Sequence, residues 1–157
     1  MKIISYILSP IFALVFLLVL VIFHPIQWIA LNTFGYKAHK AVVDIMNGLL
    51  TRTLLILGVN VKRENKTKIS EKRTIIFVSN HQSLFDIPPI IWYFRKHHVK
   101  FVSKKELGKG IPSVSYNLRH GGAALIDRKD GKAAIIELMK FGERLNKNIW
   151  SSAIFPE

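Results

Sequence analysis

Residues 74–86 have the sequence Thr74-Ile75-Ile76-Phe77-Val78-Ser79-Asn80-His81-Gln82-Ser83-Leu84-Phe85-Asp86, in which an apolar run leads into a histidine and an aspartate. Residues 74–79 are rich in β-branched and aromatic side chains and too few for a helix, so they predict a buried strand. His81 then lies at the carboxyl end of that strand. Because ligands and catalytic groups collect beyond the strand ends of open α/β sheets, the stretch predicts an α/β fold with a site at this edge.

The five-residue spacing between His81 and Asp86 limits how the two side chains can meet. On one continuous helix they would be rotated by roughly 140° from each other. We therefore expect the helix to begin after His81, with Ser83 or Asn80 as its cap. From the first helical turns, Asp86 can reach back to one ring nitrogen and leave the other to accept a proton from a hydroxyl. The spacing predicts a general-base pair, although a His-x4-Asp spacing also arises by chance.

After residue 74 the chain alternates between strand-like and helix-like segments. Further strands are predicted at 99–103, 122–127 and 149–155, and a shorter one is predicted earlier, at 59–62. This alternation predicts a three-layer α/β arrangement.

A helix is predicted at residues 131–145, with Asp130 as its cap. Its apolar residues recur at helical spacing, and we expect them to form an ordinary core stripe. The stripe consists of Ala134, Ile135, Leu138, Met139 and Phe141.

Composition limits the class of protein. The 157 residues suffice for one modest domain, and a mean hydropathy of +0.25 is high for a soluble protein. There is no cysteine, and no His, Asp or Glu cluster has convincing metal-ligand spacing. The net charge is +13, which favours an anionic partner such as an acidic lipid surface or nucleic acid. Nucleic-acid binding rests on charge alone, since no binding motif accompanies it, and we expect none.

The amino terminus favours the membrane. Residues 3–23 carry no charge and have about the length needed to cross a bilayer core. A cleaved signal peptide is the alternative, but no clear small-residue cleavage site follows, and Trp28 resembles an interfacial anchor. Lys37 and Lys40 after the segment outnumber Lys2 before it, which places the rest of the chain in the cytoplasm, at the inner membrane.

Three segments are therefore predicted. Residues 1–35 anchor the chain in the membrane, residues 36–57 form an amphipathic helix, and residues 58–157 form the α/β domain. The apolar residues of the second segment recur at helical spacing, so this helix lies either on the bilayer or against the domain.

Basic residues follow two of the predicted strands. Lys104 and Lys105 come after 99–103, and Arg128 comes after 122–127. Arginine binds phosphate through two N–H groups at once. Arg128 would lie beside His81 if the strands predicted at 74–79 and 122–127 are near neighbours. The ordinary alternative for this arginine is a surface ion pair.

Three short motifs resemble those of the glycerolipid acyltransferase family. Residues 80–86 look like the first motif, and residues 125–128 (Leu-Ile-Asp-Arg) resemble the second, which usually has phenylalanine in place of Leu125. Residues 155–157 (Phe-Pro-Glu) are similar to the opening of the third, which in the family continues Gly-Thr-Arg. The order and spacing of the motifs agree, so the resemblance covers about residues 55–157.

The resemblance implies an enzyme that acylates 1-acylglycerol-3-phosphate (lysophosphatidic acid). His81 would deprotonate the sn-2 hydroxyl, which attacks the thioester of an acyl-carrier protein or coenzyme A donor, and Asp86 would orient His81. Arg128 would hold the glycerol phosphate and Glu157 would shape the same pocket. Further candidates for substrate binding are Lys104, Lys105, Asn80 and Ser83. No metal or other cofactor is needed because the thioester is already activated, and we expect backbone amides after His81 to stabilise the oxyanion.

Family members continue beyond the third motif with a fourth motif and further strands. The expected fold is therefore an N-terminal membrane helix followed by a three-layer α/β acyltransferase domain that lacks its C-terminal part. The alternatives are a truncated, non-catalytic membrane-associated protein and an acyltransferase for another lysophospholipid.

Overall fold

The computed structural model describes residues 2–64 and 69–156. Its α-helices are α1 (Lys2–Phe34), α2 (Tyr36–Thr53), α3 (Ile87–Tyr93), α4 (Val114–His120) and α5 (Gly131–Asn148). Its strands are β1 (Ile76–Val78), β2 (Lys100–Lys104), β3 (Ala124–Ile126) and β4 (Ser152–Ile154). Short 3-10 turns occur at Leu54–Leu57, Leu84–Asp86, Arg95–His97 and Lys105–Gly108.

The four strands form one parallel sheet in the order β1-β4-β2-β3. All carboxyl ends therefore lie at the same edge, as predicted. On one face, α3 packs against a cluster that includes Phe77, Val99 and Phe101. On the other face, α5 covers the β2–β3 half through Phe141 and Leu145. The protein is thus an α/β domain with helices on both faces of the sheet, preceded by an apolar helix, which confirms the predicted fold class.

Helix α1 is long and apolar enough to cross a membrane, with a mean hydropathy of 2.9 over an 18-residue window of Tyr6–Phe34. It is not a free-standing anchor, because one of its sides packs along the domain. The hydroxyl of Ser113 donates to the carbonyl of Leu20 at 2.6 Å, and Asn32 Nδ2 donates to the Tyr116 hydroxyl at 3.3 Å. The opposite side exposes aliphatic side chains: Leu14, Leu17, Leu18, Val21, Ile22, Ile26 and Ile29.

Helix α2 and the turn after it occupy residues 36–57, the segment predicted to be helical. Met46 and Leu50 are buried against α1, so the helix packs on the rest of the protein. The segment ends at Gly58, whose φ of 74° is left-handed and therefore suits glycine.

Three predictions about the elements are wrong. Strand β1 is predicted to be buried, but it lies at an edge of the sheet, and Ile76 and Val78 are more than 60% exposed because no helix covers that side of the edge. Residues 59–62, predicted as a strand, have no regular structure. In α5, Asp130 caps the helix as expected by accepting from Ala133 N at 3.0 Å, but Ile135 and Met139 are more than 60% exposed. Leu138 is 40% exposed as well. The reason is that α5 touches the sheet only through the side that carries Phe141 and Leu145, and the neighbouring apolar side points away from it.

Candidate active site

The loop between β1 and α3 brings His81 and Asp86 together. Ser83 caps the helical turn, because its hydroxyl accepts from Phe85 N at 3.2 Å. Asp86 Oδ2 in turn accepts from the backbone N–H groups of Gln82 and Ser83, each at 2.9 Å. This capping box fixes the carboxylate, and Nδ1 of His81 lies 3.3 Å from the same Oδ2.

The imidazole of His81 is held on a second side by Phe155. The two rings stack with centroids 4.3 Å apart and planes at 19°, and Phe155 itself stacks on Phe101. Nδ1 is buried, and its approach to Asp86 lacks hydrogen-bond geometry. Such bonds often tighten only when substrate binds. The side chain is 32% exposed, and since Nδ1 is buried, the accessible part of the ring is the side that carries Nε2.

Four backbone amides of this loop already have hydrogen-bond acceptors. Those of Gln82 and Ser83 donate to Asp86 Oδ2, that of Phe85 donates to the Ser83 hydroxyl, and that of Asp86 donates to the Ser83 carbonyl at 3.0 Å. These four groups are therefore not free to stabilise an oxyanion, and the prediction that amides after His81 do so stays a prediction for Leu84.

An aromatic contact joins this loop to the apolar helix α1. Phe85, which lies between His81 and Asp86 in sequence, packs edge-on against Phe12 and Phe16 at centroid distances of 5.1 and 5.4 Å. The first half of α1 therefore lies beside the His81 loop. This contact is not predictable from the sequence, because nothing local marks which side of an all-apolar helix faces a domain.

Strand order sets the distances along the rest of the edge. Lys104 is the last residue of β2 and Lys105 begins the next turn, and both are exposed. Arg128, two residues beyond β3, is exposed as well. Because β4 and β2 lie between β1 and β3, the end of β3 is roughly 14 Å from that of β1. The condition for placing Arg128 beside His81, that their strands are near neighbours, is not met.

The remaining predicted residues are less informative. Asn80 is exposed, and its carbonyl accepts from the Ser79 hydroxyl at 3.0 Å. Glu157 lies outside the described residues, so its predicted role stays a prediction. Within residues 2–64 and 69–156, no three His, Asp or Glu side chains are grouped so as to hold a metal ion.

A second polar cluster lies at the amino end of the sheet, and no sequence motif predicts it. Lys100, the first residue of β2, is only 7% exposed, and its Nζ donates to the Tyr36 hydroxyl at 2.7 Å. His39 is 1% exposed. Burial, together with the charge of Lys40, lowers the pKa of Lys100 to about 7. Burial, followed by the charges of Lys100 and His120, lowers the pKa of His39 to about 4.

The parallel α/β sheet thus carries a histidine–carboxylate pair at its carboxyl edge. Comparison with protein families gives the class: the family model described as Acyltransferase matches residues 60–157. The chain belongs to the acyltransferase family, which supports the resemblance to glycerolipid acyltransferases and a general function in acyl transfer. Searches of curated proteins and of solved structures gave no match.

Proposed function

We propose that this protein transfers an acyl chain from acyl-carrier protein or coenzyme A to the sn-2 hydroxyl of 1-acylglycerol-3-phosphate, giving phosphatidic acid. The observation that carries the proposal is the placement of His81 Nδ1, 3.3 Å from Asp86 Oδ2, in a loop that contacts the apolar helix α1. A base at this position meets an acceptor whose acyl chain is in the membrane and whose hydroxyl is at its surface.

The chemistry needs one base. Asp86 favours the tautomer with the proton on Nδ1, so Nε2 of His81 takes the proton of the acceptor hydroxyl. The hydroxyl oxygen attacks the thioester carbonyl, and the carbon–sulfur bond breaks as the tetrahedral intermediate collapses. The thiolate leaves and receives the proton from His81, so the base is regenerated and no covalent enzyme intermediate forms.

Basic residues along the carboxyl edge support an acidic acceptor. Lys104 and Lys105 follow β2, between His81 and the edge strand that precedes Arg128. A glycerol phosphate whose hydroxyl reaches His81 extends along this edge toward these cations. We propose that Lys104 and Lys105 bind the phosphate of the acceptor and that Arg128, farther along the edge, binds the phosphates of the donor. Asn80, Ser83 and Glu157 contribute to the pocket in this proposal.

The membrane supplies both the acceptor and the place of reaction. The exposed aliphatic side of α1 faces lipid in this proposal, and the catalytic domain lies on the cytoplasmic side of the inner membrane, where acyl thioesters are made. One of the 23 basic residues precedes residue 36, which leaves 22 against 10 acidic residues on the remainder. Such an excess attracts the domain to an anionic leaflet.

The test is acyl transfer from palmitoyl thioester to lysophosphatidic acid in membranes that contain the chain or its His81→Ala variant. We expect kcat to fall by about 10²–10⁴-fold in the variant, because a general base contributes about that much. His120→Gln is the matched control, since this histidine is exposed and lies on α4, away from the loop. It should retain full activity.

The acceptor is tested in the same membranes. Lysophosphatidic acid should be acylated faster than lysophosphatidylethanolamine or lysophosphatidylglycerol, and the opposite order would assign the enzyme to another lysophospholipid. An active His81→Ala variant would disprove the role of the base. Inactivity of the unmodified chain, inserted and folded, with all acceptors would favour the non-catalytic membrane-associated protein.

A further inference from the structure

A cavity of about 30 Å³ lies between α2 and the amino end of the sheet, and it is independent of the site that contains His81. Its walls include Lys100 from the start of β2 and His39 and Lys40 from α2. By the measure in which one water needs roughly 10–15 Å³, the enclosed part of the cavity holds about two waters, so a larger ligand must extend toward its open side. Arg95 also lines it and is exposed, so the cavity reaches the surface there.

The cavity contains a buried polar atom without a partner. His39 is 1% exposed, and its Nε2 has no hydrogen bond within the described residues. An unpartnered buried imidazole nitrogen costs free energy, so such atoms normally face a water, an ion or a ligand. The ammonium of Lys100, 7% exposed, has a single partner among the described residues, the Tyr36 hydroxyl at 2.7 Å, and can donate two further bonds.

The charges around the cavity are unbalanced. Three cationic side chains line it, those of Lys40, Arg95 and Lys100, against the single carboxylate of Asp44. Its Oδ2 is paired with Lys40, and its Oδ1 is buried without a hydrogen bond among the described residues, so a phosphate bound here must direct an O–H group toward Oδ1. The rings of Tyr36 and Trp150 lie under the ammonium of Lys100, with centroids 5.4 and 4.6 Å away, and supply only partial negative charge.

We propose that this cavity is a binding site for a small phosphate-type oxyanion, held by Lys100 Nζ and His39 Nε2. The anion supplies the missing acceptor for both nitrogens and balances the excess of positive charge. The site lies at the end of β2 opposite Lys104, roughly 13 Å away along the strand, so it is separate from the edge where the acyl acceptor is proposed to bind.

The lowered pKa values of the two groups are consistent with this assignment. Burial and neighbouring positive charges disfavour a proton on His39 and on Lys100 in the empty cavity. An anion between them reverses the sign of the local charge, so proton uptake and anion binding assist each other.

The experiment measures the unfolding midpoint of the detergent-solubilised full chain as inorganic phosphate replaces chloride at constant ionic strength and pH 6. At ten times the dissociation constant we expect the midpoint to rise by about 3–6 °C. Lys100→Met should lose this rise, whereas Lys132→Met, on the exposed surface of α5, should keep it.

Two further variants make the result decisive. Arg128→Ala separates this cavity from the carboxyl edge: the rise must persist in it, and its loss there would overturn the proposal. If Lys100→Met does not unfold cooperatively, His39→Gln takes its place. Histidine NMR on the unmodified chain gives a local measurement, in which the pKa of His39 should rise from about 4 when phosphate is added.

The source of the anion is tested in lipid nanodiscs without free phosphate. If the phosphate of an anionic lipid fills the cavity, phosphatidylglycerol raises the midpoint over phosphatidylcholine in the unmodified chain but not in Lys100→Met. If free phosphate is the ligand, only its addition does so. Absence of a Lys100-dependent rise with either source would show that the cavity holds water alone.

Discussion

At the carboxyl ends of the strands, the side chains of His81 and Asp86 are about one-third exposed, and backbone amides of their own loop hold the carboxylate. At the amino end, Lys100 and His39 are less than 10% exposed, and the polar partners that would satisfy them are incomplete. In the first region the side chains remain accessible to solvent, and local hydrogen bonds orient the carboxylate. The second buries its titratable groups, which makes their protonation depend on whatever enters the cavity.

This difference determines which experiments affect each end. Substitutions at the carboxyl edge should change acyl transfer and leave stability nearly intact, because partly exposed groups contribute little to folding. Substitutions at the amino end should change the dependence of stability on pH and on anions. If a substitution at the amino end changed acyl transfer, or one at the carboxyl edge changed the pH dependence of stability, the two ends would be coupled through the sheet.

Asp86→Asn should have the largest effect at the carboxyl edge. The amide oxygen of asparagine can still accept from Gln82 and Ser83, so the helical turn is retained. The negative charge that favours the imidazolium of His81 is lost, and the tautomer is no longer fixed. We expect kcat to fall by about 10³-fold, measured as acyl transfer in membranes.

Asp130→Asn is the matched control, because Asp130 also caps a helix through its side chain and asparagine caps as well as aspartate. It should retain normal activity. An Asp86→Asn enzyme within about tenfold of the unmodified chain would mean that the carboxylate serves the fold and not the base.

The sequence predicted the carboxyl edge better than the rest because its information is local. Residues 74–86 contain a strand, a turn and a cap within thirteen positions, and each has a recognisable residue pattern. The contact of Asp86 with His81 follows from that pattern. The position of Arg128 does not, because strand order is decided by long-range packing, and the structure puts β3 at the far edge from β1.

The amino end was not predictable for the same reason. Lys100 lies 61 or more positions along the chain from Tyr36 and His39, and no local pattern marks any of the three residues. The exposed side of α5 shows a related limit: apolar spacing indicates a helix, but which apolar side is buried depends on how the helix lies on the sheet. Ile135 is exposed and Phe141 is buried although both fit the same period.

The acid sensitivity of the amino end is the second prediction. The pKa of His39 is lowered to about 4 in the folded protein, against 6.5 when unfolded. The unfolded state therefore takes up the proton first, so the stabilisation is complete above pH 6.5 and is lost as the pH falls toward 4. We expect His39 to account for about 2 kcal/mol of the loss in phosphate-free buffer.

His39→Gln, which cannot take up a proton, should reduce this loss. Part of the loss should remain in this variant, because burial and the charges of Lys40 and Lys100 lower the pKa of His98 to about 4 as well. Asp44 acts in the opposite direction, because burial raises the pKa of its carboxyl, and it is present in both proteins. Denaturant unfolding at pH 7 and pH 4.5 gives the comparison, with Lys132→Met, on the exposed surface of α5, as the control. An equal loss of stability between the two pH values in all three proteins would contradict the prediction.

The smallest expected effect lies at the contact between the His81 loop and α1. Phe85→Ala removes the edge-on contacts with Phe12 and Phe16, each worth about 0.5–1.5 kcal/mol beyond area burial. The capping box of Ser83 and Asp86 remains, so the loop stays formed but is less firmly seated against the apolar helix. We expect acyl transfer to fall only about five-fold, as a modest loss of orientation should.

Leu84→Ala is the control for this change, because Leu84 is the preceding residue of the same turn and is 74% exposed. It should transfer acyl chains at the normal rate. A loss in Phe85→Ala as large as that in Asp86→Asn would mean that α1 holds the base in place, and that the carboxyl edge depends on buried packing as the amino end does. If neither Phe85→Ala nor Leu84→Ala loses activity, the hydrogen bonds within the loop are enough to orient it. Such local orientation is the simplest physical reason why a motif of seven residues can be recognised in the sequence without its surroundings.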